Sequence, residues 1–315
     1  MNYYYYLIGI LFSFFIFYCI SMTSIKKFFI RKTAREFLTM GNHQSKKTIP
    51  SMGGIPFIII PLLGLWYNHF SYISIGYAII TISSWIVGLW DDYEKIYYNK
   101  GISARYKFFA QALGSLIGII FIYSGNNSLY NYIDCKFFLI HSSLLSIIWL
   151  IFIIVGTSHA VNLTDGLDGL AASQLIIASI PLLLINQNHP FIFHIALIKI
   201  IIVGLFLLFN TFPARLFMGD CGALFLGSSL ATLFIINRNE WTLVISGVIF
   251  VIETISVILQ YCFYKYFKRR LFLFAPIHHH FEKKGYSENQ IVLGALAVSI
   301  IGLFIFYNFS SFSLI

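Results

Sequence analysis

Apolar runs about as long as a lipid bilayer is thick recur from one end of this chain to the other, and no other feature restricts its fold as strongly. A helix needs about 20 apolar residues to cross the hydrocarbon core. The stretch 191–209 has that length and carries Lys199 as its only formal charge. No water is available at that depth, so the backbone must satisfy its own hydrogen bonds and such runs form helices. The weaker alternating pattern of a transmembrane barrel is absent. Ten candidate spans result: 3–24, 52–69, 72–90, 107–124, 138–156, 169–187, 191–209, 222–237, 241–263 and 290–309. Composition agrees: 58% of residues are hydrophobic, 10% are charged and the mean hydropathy is +0.81. A soluble domain carries about 25% charged residues. The expected fold is an all-α integral membrane protein, one polytopic domain over 1–315 with no visible repeat or linker.

The connections differ in character. Those near 26–50, 91–106, 157–168, 210–221 and 264–289 are polar and charged, whereas those near 70–71, 125–137, 188–190 and 238–240 are short or weakly charged. Most Lys and Arg lie in the first group. Basic loops stay cytoplasmic, which puts both termini on the opposite face. Lys26, Lys27, Arg31 and Lys32 follow the first apolar run instead of preceding it. That run therefore reads as a retained span and not as a cleaved signal peptide. The net charge of +9 is then a topology signal, and no nucleic-acid partner is expected. Cys19, Cys135, Cys221 and Cys262 show no paired spacing, so neither a disulfide framework nor a zinc site is read. The abundant aromatic residues read as lipid-facing filler.

The acids follow the same asymmetry, which topology does not require. All except Asp134, Glu240 and Glu253 lie in the basic loops. Asp91 and Asp92 end the third span. Two adjacent carboxylates at a membrane boundary repel one another and call for a cation, either a metal or Lys95. Asn162, Asp165 and Asp168 step by three, so a helix would keep them within one broad face. They sit among glycines that let a ligand approach closely; capping of the next helix is the simpler alternative. Asp220 opens the eighth span, where capping is again the alternative. Asn210 and Phe217 offer an amide and a ring for a nucleobase.

His278, His279 and His280 are consecutive, so their side chains diverge and one shared metal is disfavoured. Phosphate contact suits them better. Lys46 and Lys47, before Pro50, Ser51, Gly53 and Gly54, suit an anionic ligand held against backbone. Glu253, Ser256 and Gln260 form a stripe on the ninth span, either functional or hydrogen-bonded between helices.

Separated loops bringing acids, amides and bases to one face suit a diphosphate with a divalent metal. Phe217-Met218-Gly219-Asp220 and Ala275-Pro276-Ile277-His278-His279-His280-Phe281-Glu282 resemble, nearly letter for letter, motifs of the bacterial phospho-N-acetylmuramoyl-pentapeptide transferases. These belong to the polyprenyl-phosphate N-acetylhexosamine-1-phosphate transferase superfamily, and the likeness covers about 46–290. The resemblance implies transfer from UDP-N-acetylmuramoyl-pentapeptide to undecaprenyl phosphate, giving lipid I and UMP with Mg²⁺. It implies ten spans in the bacterial inner membrane, both termini periplasmic, the active site on the cytoplasmic face, and a homodimer as a further expectation.

By the same analogy Asp220 holds the metal. Asn210 and Phe217 seat the uridine, Lys46 meets the nucleotide-sugar, and Ser51 and Asn162 are expected to bind substrate. Asp91 and Asp92 address the lipid phosphate, Asp165 and Asp168 lie beside the diphosphate, and the three histidines support the phosphates. A phosphate monoester is mostly ionised near pH 7, its second pKa being about 6, so Asp91 need only position it. A covalent phospho-enzyme is the rival route.

Two departures stand out. Thr48, Ile49 and Ser51 replace Gly, Thr and Thr of the usual loop, and Val292-Leu293-Gly294 stands where an Arg-Phe-Trp run usually begins the last span. A related N-acetylglucosamine-1-phosphate transferase and a non-enzymatic lipid-phosphate binder or transporter are the competing functions.

Overall fold

The computed structural model describes residues 49–125, 133–134, 139–140, 142–186 and 189–312. Span 3–24 and Lys46 lie outside them. Apart from a two-residue antiparallel ladder, β1 (Ile133–Asp134) with β2 (Leu139–Ile140), the described secondary structure is helical. A 3-10 turn, Ile55–Ile58, leads into α1 (Ile59–Tyr67). Then come α2 (Tyr72–Tyr97), α3 (Ala104–Gly125), α4 (Ser143–Thr164), α5 (Leu170–Ile185) and α6 (Pro190–Asn210). They are followed by α7 (Gly219–Ile236), α8 (Glu240–Ser246), α9 (Val248–Phe267), α10 (Ile277–Lys283) and α11 (Glu288–Phe312).

Among the described residues, 7 helices are long and apolar enough to cross a membrane: α2, α3, α4, α6, α7, α9 and α11. Ile55–Tyr67 and α5 are apolar but shorter. Large hydrophobic side chains such as Trp66, Phe109, Phe152 and Phe304 stand exposed on the outside, as expected for a surface facing lipid and not water.

Helix α7 is the axis of the bundle. Every residue from Cys221 to Ile236 is buried, and a helix apolar all round belongs in the interior. Lipid is as apolar as leucine, so close packing and not hydrophobic transfer must hold membrane helices together. Small residues supply that packing. A Cβ at Gly227 would lie 2.7 Å from Ser158 Cα of α4, and one at Gly88 would lie 2.4 Å from the Asp220 carbonyl. Hydrogen bonds add to it: Tyr77 Oη and Ser229 Oγ meet at 2.7 Å. Each such bond contributes only about 0.6 kcal/mol in a bilayer, so it tunes a contact that packing makes.

The structure moves two expected boundaries. Helix α4 runs to Thr164 instead of ending near 156, because its polar residues find partners inside the bundle. Gln111 Nε2 donates to Ser158 Oγ at 2.8 Å, and Ser158 donates to the Leu224 carbonyl at 2.9 Å. The span expected over 241–263 is two helices, α8 and α9, meeting at Gly247. A Cβ there would come within 2.8 Å of the Leu243 carbonyl, which only a glycine avoids.

Candidate active site

Asp91 and Asp92 lie on the last turns of α2, where the helix runs past the apolar stretch. Successive helical residues point about 100° apart, and the two carboxylates accordingly have different partners. Asp91 is fully buried at 0% exposure. Its Oδ1 accepts from the Ile102 amide at 2.8 Å, and its Oδ2 lies 2.7 Å from Lys95 and 2.7 Å from Lys107. The same lysines reach Asp220, Lys95 at 3.0 Å and Lys107 at 2.7 Å. Two carboxylates and two ammonium groups therefore alternate around a closed ring drawn from α2, α3 and α7. Asp91 faces inward, while the Asp220 side chain keeps 13% exposure.

Asp92 does something else. Its Oδ1 accepts from the Asp220 amide at 3.1 Å and its Oδ2 from the Cys221 amide at 3.0 Å. It thereby satisfies first-turn N–H groups of α7 from a different helix. The N-cap of α7, Met218, offers no side chain of its own. Capping was the alternative for Asp220, but Asp220 does not cap; Asp92 performs that task for it. A Cβ at Gly219, φ 75°, would meet Asp92 Oδ2 at 2.5 Å, so this approach requires glycine.

Asp165 and Asp168 do not share a helix face. Helix α4 ends at Thr164 with Asp165 as its C-cap, and α5 begins only at Leu170 after a left-handed Gly169. The acids occupy the turn between, with Asn162 on the last turn of α4. Asp168 is buried and its Oδ2 accepts from the Ala214 amide at 2.9 Å. The Asp168 amide donates to Glu288 Oε2 at 3.2 Å. Asn210 ties the same turn to the next loop: its Oδ1 accepts from Gly169 N at 3.1 Å and its Nδ2 donates to the Leu216 carbonyl at 2.9 Å. Loop 211–218 thus holds the Asp168 turn at one end and leads to Asp220 at the other.

The Gly-Gly loop is occupied by protein. Gly53 N donates to the Phe217 carbonyl at 2.8 Å, Gly54 N to Met218 O at 2.9 Å, and Phe217 N to Pro50 O at 2.9 Å. These amides shape the approach to Asp220 and are not free for the anionic ligand the sequence suggested. Ser51 is buried in the same loop, and the Phe217 ring is half-buried beside it.

The three histidines diverge as consecutive helical residues must. His278 is buried against Glu253 of α9, with its Nδ1 at 3.0 Å from Glu253 Oε2. His279 pairs with Glu282 at 2.5 Å and stays half-buried. His280 Nδ1 accepts from the Leu273 amide at 3.1 Å. Gln260, from the stripe on the ninth span, clasps the loop before α10, with its Oε1 accepting from Phe272 N at 2.8 Å and Leu271 N at 3.1 Å.

Lys107, His159 and Glu288 had not been singled out from the sequence. Lys107 looks like a topology lysine at a span border. His159 sits where a loop was expected and lies close enough to Lys107 and Asp220 to feel their charge. Glu288 looks like an ordinary acid in the first turn of the last helix.

Among the described residues no three His, Cys, Asp or Glu side chains converge as a metal cage. Mg²⁺ needs less, one or two carboxylates completed by water and substrate phosphate. Asp220 suits that role better than Asp91: it is the more exposed of the two carboxylates, at 13% against 0%, and a metal there would take the place of an ammonium partner.

A helical membrane protein that gathers carboxylates and lysines at its helix ends defines a class, and glycosyl transferase family 4 matches residues 74–238. Full-length relatives narrow it. A phospho-N-acetylmuramoyl-pentapeptide-transferase of Wolbachia sp. subsp. Drosophila simulans (strain wRi) is 40% identical over 277 residues, 82% of this chain and 83% of the relative. One of Aliarcobacter butzleri is 38% identical over 313 residues, 89% and 88% of the two chains. One of Buchnera aphidicola subsp. Acyrthosiphon pisum is 41% identical over 289 residues, 84% and 81%. The chain belongs to the phospho-N-acetylmuramoyl-pentapeptide transferase family.

Proposed function

We propose that the chain transfers phospho-N-acetylmuramoyl-pentapeptide from its UDP donor to undecaprenyl phosphate, the first membrane step of peptidoglycan synthesis. An oxygen of the lipid phosphate attacks the phosphorus that carries the sugar. The bond from that phosphorus to the UMP oxygen breaks, and UMP leaves with the bonding electrons.

The observation that carries this reading is the ring Asp91–Lys95–Asp220–Lys107. Phosphoryl transfer asks the protein chiefly for position and charge, and the ring holds two ammonium groups in place beside an open carboxylate. We assign Lys95 and Lys107 to the phosphate oxygens and Asp91 to holding them. A buried Asp91 suits a lipid phosphate that is already ionised and needs no base. We assign Mg²⁺ to Asp220; when bound, it shields the phosphates from one another's charge and stabilises the leaving group.

Asn162, Asp165, Phe217, Lys46 and the half-buried His279 are assigned to the donor, with Ser51, Asn210 and Asp168 shaping its seat. An apolar groove of about 300 Å³, lined by Trp149, Phe152, Gly156, Trp241 and Val251, suits the isoprenoid chain. In the same reading the chain is one domain making ten crossings of the inner membrane with both termini periplasmic, α8 and α9 forming one broken span, and it acts as a homodimer.

The test is UMP release by the purified protein with undecaprenyl phosphate and each UDP-sugar. Release with the muramoyl-pentapeptide donor, lost in EDTA, is expected. Release with UDP-N-acetylglucosamine alone sinks the reading in favour of the related transferase.

A further inference from the structure

His278 is the least accessible of the three histidines at 1% exposure. Glu253 Oε2 lies 3.0 Å from its Nδ1 and accepts from its backbone N–H at 3.4 Å. The backbone N–H donates to the same carboxylate oxygen, and an ionised carboxylate can only accept, which assigns the proton of the ring contact to Nδ1. Nε2 is buried without a hydrogen-bond partner and faces the turn between α4 and α5, where a Cβ built on Gly166 would lie 2.3 Å away. The backbone of Gly166 has no positive φ, so glycine is needed there for room and not for conformation. Other anchors of this turn include Asn210, Ala214 and Glu288. The Glu253–His278–Gly166 line links it to α9 and α10.

We infer that Glu253 and His278 are positioning residues. Glu253 fixes the imidazole, the imidazole bears on Gly166, and His278 acts on the reaction through the Asp165–Asp168 turn without touching substrate. This rests on the transferase reading above, in which that turn borders the donor. It separates His278 from His279, whose ring reaches the surface.

A double-mutant cycle on UMP release tests it. Glu253→Ala and His278→Ala are each expected to lower kcat about 10- to 100-fold, on the scale known for outer-shell partners that orient metal-ligating imidazoles, with KM for the donor little changed. Residues acting in one line are not additive, so the double variant falls no further than the worse single. Glu253→Gln keeps an acceptor oxygen and restores most of kcat. Gly166→Ala reproduces the His278→Ala loss although it removes no group, and it remains informative if the alanine variants fold poorly. A silent Glu253→Ala beside an inactive His278→Ala, or fully additive losses, overturns the inference, because His278 then works on substrate by itself. Ring ¹⁵N shifts give a readout independent of turnover: Nδ1-protonated in the native protein and in Glu253→Gln, mixed in Glu253→Ala. An Nε2-protonated native ring also overturns it. A native protein that shows the expected tautomer yet releases no UMP counts against the transferase reading alone.

Discussion

Lys107 Nζ stands 2.7 Å from Asp220 Oδ2, joining the first turn of α3 to the first turn of α7. The same ammonium lies 2.7 Å from Asp91, so one lysine balances two carboxylates drawn from two other helices. Lys95 repeats the arrangement from the other side.

Removing Lys107 leaves those carboxylates one cation short. Losing one partner of a fully buried pair costs about 3–5 kcal/mol; here Asp91 is fully buried, but Lys107 and Asp220 are partly exposed and Lys95 still faces both acids, so roughly 1–2 kcal/mol is expected. Lys107→Met should lower kcat/KM at least about 100-fold while shifting the thermal midpoint only a few degrees. Arginine should rescue poorly, since its planar fork cannot replace a compact ammonium between two carboxylates. Steady-state UMP release and a detergent-phase melt check both.

Asp92 and Asp220 should separate stability from activity. Asp92→Ala strips the cap from α7, an effect of about 1–2 kcal/mol, and should lower the melting temperature and the activity together. Asp220→Asn leaves the α7 amides capped by Asp92 and keeps an oxygen to which Lys95 or Lys107 can donate, so it should abolish turnover with a smaller change in melting than Asp92→Ala.

Metal dependence follows from the same corner. EDTA should stop UMP release and added Mg²⁺ should restore it. Asp220→Glu should raise the Mg²⁺ concentration for half-maximal activity, whereas a variant at Asp168, whose carboxylate is engaged with Ala214, should leave that concentration unchanged. An equal shift in both variants refutes Asp220 as the holder.

Gly88→Ala tests whether the crossing of α2 and α7 sets the ring. The added Cβ would lie 2.4 Å from the Asp220 carbonyl and 2.5 Å from Cys221 Cα. Backbone cannot yield as a flexible side chain does, so α7 must shift. Overpacking of this kind costs about 1–3 kcal/mol. Activity should fall further than stability, because Asp220 moves with the helix. Gly204→Ala, where a Cβ meets nothing within 4 Å, is the control and should behave as wild type.

Much of this is legible in the sequence. Span length and apolarity are local properties, so α2, α3, α6, α7 and α11 fall close to where hydropathy put them. Divergence of the three histidines followed from helical geometry alone. Less legible were α4, whose polar last turns resemble a loop until Gln111 and Leu224 supply partners, and the break at Gly247, which looks like one glycine among many. Lys107 was hidden for a related reason: a lysine at a membrane border has the same appearance whether it marks topology or bridges two acids.

The sequence by itself determined that the chain is helical, that its helices are apolar enough to cross a membrane, and that most of its carboxylates lie with the Lys and Arg in alternate connections. Those facts depend on length, hydropathy and charge, which each segment carries alone. Only the tertiary structure decided what each carboxylate does. Asp91 and Asp92 are neighbours in the chain, yet one joins the lysine ring and the other caps α7. A helix turns successive residues to different sides, and what waits on each side is settled by which helices pack there.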